Sequence, residues 1–126
     1  MRGFVFILLL IPFVCISQNG QFAGLSDLHS GNAKKAIKHF KKLRKKTSSA
    51  KKLQNIDYYD ACAHYLLAFT SKKRGELLDL AKTKFKSSDP ESRSLRSNFK
   101  LGLIYASIDE YDRAFPFFKR CSEIEP

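Results

Sequence analysis

The chain has 126 residues, with 23 Lys and Arg against 12 Asp and Glu, a formal charge of +11. Its length excludes two large domains, its 6 Gly and 4 Pro exclude collagen-like or low-complexity sequence, and its 13% aromatic content excludes a disordered chain. What remains is one small, strongly basic domain with a packed core.

Arg2 precedes an apolar run from Phe4 to Ile16, with the small residues Cys15 and Ser17 just before Gln18. These are the features of a secretory signal peptide over residues 1–17, and they imply an exported domain over 18–126, periplasmic or secreted. The run is shorter than the roughly 18–20 residues that span a bilayer, and Pro12 interrupts it; a retained membrane anchor is the alternative. Val14, where a small residue belongs, speaks against lipid attachment at Cys15. Removing residues 1–17 takes one cation, Arg2, and leaves a charge of +10 with two cysteines, Cys62 and Cys121. Both sit among apolar residues at helical spacing and are read as buried free thiols.

From Lys34 to Lys52 there are ten bases and no acid. Here Ala36, Ile37, Phe40 and Leu43 recur along one face, which predicts an amphipathic helix over 32–46 with Asn32 as its N-cap. A second helix is predicted from Ile56 to Ser71, capped by Asn55, with Tyr58, Cys62, Tyr65 and Phe69 along one side. Bases at 72–74 and Gly75 close it. A third runs from Glu76 to Ser87 on Leu77, Leu78, Ala81 and Phe85. Asp89, Pro90 and Glu91 read as the start of a fourth, reaching Ala106. Asp109 and Glu110 open a fifth, carrying Tyr111, Ala114, Phe118, Cys121 and Ile124, with Pro116 as a mild kink.

No stretch alternates apolar with polar residues, and Val is absent after residue 17. The expected class is all-α, with short turns that fold consecutive helices back as antiparallel hairpins.

From Asn98 the sequence reads N-F-K-L-G-L-I-Y, followed by Ala114, Phe118 and Pro126. Leu101, Gly102, Tyr105, Ala114, Phe118 and Pro126 together resemble the tetratricopeptide repeat pattern, with Asn98 in place of the family's Trp. A poorer copy covers about 18–50, with Ala23, Gly24, Ala36 and Phe40. Another covers about 56–94, where Ala81 and Phe85 keep the spacing, Tyr65 stands in the Trp place, Phe69 replaces the glycine and Lys72 the Tyr. The resemblance implies tandem hairpins in a short right-handed solenoid whose first helices line a concave groove for a peptide or partner helix. By that resemblance Arg96, Phe99, Lys100 and Leu103 are the groove-facing candidates, suited to an acidic peptide or a C-terminal peptide carboxylate.

Catalytic and metal chemistry find no support in the sequence. His29, His39 and His64 are scattered, Cys62 and His64 point apart on one helix, and Ser26, Asp27 and His29 are too local for a triad. The expected function is an exported protein-interaction module without enzymatic activity, cofactor or metal. Two alternatives stand beside it. One is a polyanion-binding envelope protein that uses Lys41, Lys42, Lys45 and Lys46 on the basic stretch 34–52, with an anionic polymer or lipid rather than nucleic acid as partner. The other is the sensory N-terminal part of a longer signalling protein. Phe117, Cys121 and Ile124 are expected on an apolar face of the last hairpin, left for further repeats or for self-association.

Overall fold

The computed structural model describes residues 19–126, with side chains from Ala23 onward; the proposed signal segment lies outside the described residues. Six helices and no strand occur among the described residues: α1 Asn19–His29, α2 Ala33–Lys46, α3 Ala50–Ala68, α4 Arg74–Ser88, α5 Leu95–Ser107 and α6 Tyr111–Ile124. The chain is all-α. None of these helices is long and apolar enough to cross a membrane.

The helices pack as consecutive pairs, α1 on α2, α3 on α4 and α5 on α6, with α2 against α3 and α4 against α5 joining the pairs. Local chemistry sets the ends. Asn32 Oδ1 accepts from Lys35 N (3.3 Å) at the start of α2, after Gly31 takes φ +83° in the turn. Ser49 caps α3. That helix therefore begins at Ala50, before the expected Ile56, and Asn55 is not its cap. Gly75 lies in the first turn of α4 rather than in a left-handed exit.

The Asp89-Pro90-Glu91 signal also resolves differently. Asp89 ends α4, and its carboxylate accepts from Arg93 N (3.0 Å) and Ser94 N (2.8 Å) across the loop. Ser92 takes φ +54°, which no helix tolerates, so α5 waits until Leu95 with Ser94 as its cap. Asn98, 1% exposed, ties this loop down by donating to Ser92 O and Ser94 O and accepting from Ser92 Oγ. α6 runs unbroken through Pro116.

Two glycines allow close approach within a pair. A Cβ at Gly24 would stand 2.5 Å from the Phe40 ring, and one at Gly102 would stand 2.6 Å from that of Phe118. In both pairs the glycine precedes its phenylalanine by 16 residues, and a buried Ala36 or Ala114 lies four before the ring.

The middle pair keeps this arrangement at a different register from the one its spacing suggests. Phe69, counted as the glycine position, caps α3 and is 52% exposed. Shifting α3 by 41 residues instead lays Ile56, Asp57, Asp60, Ala61, Ala63 and His64 on Ser97, Asn98, Leu101, Gly102, Ile104 and Tyr105, and every member of both sets is buried. Ring geometry agrees: Tyr58 meets Phe85 edge-on (5.5 Å, 63°) as Phe99 meets Phe118 (6.0 Å, 60°). Ala61 is therefore the small residue of this pair, Asp57 takes the place of Asn98, and His64 that of Tyr105, instead of Phe69, Tyr65 and Lys72. Ala61 to Phe85 spans eight residues more than Gly102 to Phe118, and the excess lengthens the pair at its tip.

Candidate functional site

The first helices of the three pairs carry equivalent faces. Leu25 on α1 directly follows Gly24, Cys62 on α3 follows Ala61, and Leu103 on α5 follows Gly102. Leu25 and Cys62 line a groove of about 330 Å³ together with Leu28 and His29 from α1, Tyr58, Tyr59 and Leu66 from α3, and Lys100 from α5. Its floor is aliphatic and aromatic, with a cation at the α5 side. Burial pushes the Cys62 thiol above its ordinary value, with partial relief from the Tyr58 hydroxyl and from Lys100 and Arg96, so the sulfur serves as neutral floor.

Arg96 and Lys100 bridge α5 to α3. The Arg96 guanidinium stacks 3.9 Å from the Tyr58 ring centre, lies 5.5 Å from that of Tyr59, and donates to Asn55 Oδ1 (3.0 Å). Lys100 Nζ sits 5.7 Å from the Tyr65 ring centre. Such contacts fix a cation over apolar surface while leaving most of its donors open. Of the other two candidates, Phe99 is half exposed and turned edge-on to Phe118 of its own pair, and Leu103 is half-buried.

The candidates Lys41, Lys42, Lys45 and Lys46 are all exposed on α2, as are Lys34, Lys35 and Lys38. Arg44 of the same run is engaged differently, bonded to the buried carboxylate of Asp57 on α3. A second buried acid, Asp60, meets Lys84 Nζ of α4 at 2.9 Å. His64 Nδ1 donates to the Asp60 carbonyl (2.8 Å) and lies 3.3 Å from its carboxylate, poorly aligned with it. Burial pushes the Asp60 carboxyl up, but His64 and Lys84 together hold it below its ordinary value of 3.8. These acids clamp α3 to its neighbours on both sides. Nothing in the apolar periodicity marks them, because a charged residue on an inward face reads as a break in the stripe.

A separate recess of about 540 Å³ opens beside the groove, lined by Lys51, Lys52, Gln54 and Asn55 of α3, Ser88 at the end of α4, and Ser94, Arg96 and Ser97 at the start of α5. In the sequence these residues lie in three separate segments, up to 46 positions apart. Among the described residues, no three His, Cys, Asp or Glu side chains gather as metal ligands.

At the last pair Phe117, Cys121 and Ile124 are each half-buried: Phe117 stacks on Tyr105 (5.5 Å, 8° between planes) and the Cys121 thiol points to Leu95 O (3.6 Å), while Tyr111 and Phe115 are 64% and 66% exposed. Compared with family models, with curated proteins and with solved structures, the chain matches none.

Proposed function

We propose that the protein is a tetratricopeptide-like interaction module whose three helix pairs form a short right-handed solenoid and whose groove receives an acidic peptide or partner helix. The carrying observation is that equivalent positions of α1 and α3, Leu25 and Cys62, line one groove closed on its α5 side by Lys100. Apolar floor supplies affinity for a partner's side chains, and the fixed cation Lys100 selects an acidic one. Export to a periplasmic or extracellular location belongs to the same proposal and rests on residues 1–17.

The test presents acidic and neutral extended peptides to the purified protein and follows its backbone amide signals. Acidic peptides should shift amides around Leu25, Cys62, Leu66 and Lys100, and both Leu25→Asp and Lys100→Glu should abolish the effect. If no peptide binds, or binding ignores both substitutions, the groove reading fails.

The seven exposed lysines of α2 favour a second reading, attachment to an anionic envelope polymer or lipid. Heparin binding should then fall steeply between low and high salt and be lost when Lys41, Lys42, Lys45 and Lys46 are reversed to Glu.

A further inference from the structure

The recess between α3 and α5 has a strongly cationic lining. Lys51, Lys52 and Arg96 contribute three cations, and Asn55, Ser94 and Ser97 are among its neutral members; among the described residues the lining includes neither a carboxylate nor an apolar side chain. The neighbouring acids are occupied elsewhere, Asp89 by backbone N–H groups of its own loop and Glu91 by Arg93 (2.9 Å). Among the described residues neither Lys51 nor Lys52 enters an ion pair, and both are exposed.

Arg96 is held in place before any ligand arrives. Its guanidinium lies on the Tyr58 ring and is anchored by Asn55 Oδ1, a contact that consumes one of its five N–H donors. Beside it Ser97 is 2% exposed, its hydroxyl 3.2 Å from that of Ser88, so the wall of the recess is fixed as well. A planar fork, two flexible ammonium groups and hydroxyls within one concavity match an oxyanion of two or more charges: Arg supplies directional bonds and the lysines supply charge. The concavity, about 540 Å³, has room for more than a bare anion and suits a small soluble molecule better than a flat surface.

We infer that this recess is a binding site for a small soluble molecule bearing a phosphate-type multivalent oxyanion, held by Arg96, Lys51 and Lys52, and separate from both the peptide groove and the α2 face.

Calorimetric titration of the purified protein with inorganic pyrophosphate at constant ionic strength tests it. One saturable site is expected, with amide shifts at Asn55, Ser94 and Ser97. The double variant Lys51→Gln/Lys52→Gln, at exposed positions that leave the fold intact, should weaken binding by about tenfold or more, as loss of charged hydrogen bonds does. Arg96→Gln should act in the same direction, and Lys41→Gln/Lys42→Gln, which removes the same charge from α2, should change affinity by less than about twofold. The inference is overturned if pyrophosphate does not bind at millimolar concentration, or if the α2 pair weakens it as much as the recess pair. Neither result bears on Lys100 and the groove.

Discussion

At the scale of single residues, the two glycines of the last two pairs have opposite roles, and substitution separates them. Gly102→Ala improves helix propensity by about 1 kcal/mol, but its Cβ would meet the Phe118 ring at 2.6 Å, and overpacking of that kind costs about 1–3 kcal/mol. Net destabilisation by about 1 kcal/mol is expected in urea unfolding. Gly75→Ala meets nothing within 4 Å and should stabilise by about 0.5–1 kcal/mol. Asp60 gives a pH-dependent counterpart. Its folded carboxyl titrates below the ordinary 3.8, so its contribution is complete above that value and disappears as pH falls through the lower, folded one. Asp60→Asn strips Lys84 and His64 of their partner, and a loss of about 2–4 kcal/mol at neutral pH is expected. The wild-type advantage over this variant should shrink below pH 4, which parallel urea titrations would detect.

At the scale of elements, legibility followed the apolar stripe. α2 and its Asn32 cap could be read directly, because lysines on the outer faces leave the inner face sharply marked. α3 could not: Lys51 and Lys52 look like a linker, Asn55 imitates a cap, and the buried Asp57 and Asp60 interrupt the stripe where α3 is most enclosed. Asp89-Pro90-Glu91 imitates a helix start, but the carboxylate caps loop amides instead. The register of the middle pair was hidden because counting residues assumes a constant tip, whereas packing conserves the buried face and lets the tip grow. In the candidate site, Arg96 and Lys100 could be found from the repeat pattern. The recess could not, since it joins side chains more than 40 residues apart. Pro116 supplies the element-scale prediction. It removes the N–H that would bond to Asp112 O, so Pro116→Ala should stabilise by about 1–3 kcal/mol, visible as a higher melting temperature without loss of helicity.

At the scale of the whole molecule, charge is distributed against stability. All seven lysines of α2 and both lysines in the first turn of α3 are exposed, and the buried acid that α2 meets on α3, Asp57, is already paired with Arg44. Mutual repulsion of such a set decays with the Debye length, from about 30 Å at 0.01 M salt to about 8 Å at 0.15 M. The melting temperature should therefore rise with sodium chloride over this range. It should rise less in the variant with Lys41, Lys42, Lys45 and Lys46 changed to Gln, and a salt response equal in both would refute the attribution.

α4 reaches Phe85 one full turn later than α6 reaches Phe118, about 6 Å of helix rise, so the connection at 69–73 overhangs the three-residue turns of its neighbours. The longer 89–94 connection is pinned by Asp89, Asn98 and Arg120, whereas the overhang holds Lys72, Lys73 and Arg74 in the open. Among all the basic residues that trypsin could attack, those three should be cut first. A brief digestion should release two fragments divided near residue 73, still associated with each other through the packing of α3 on α4, well before any cleavage inside α2.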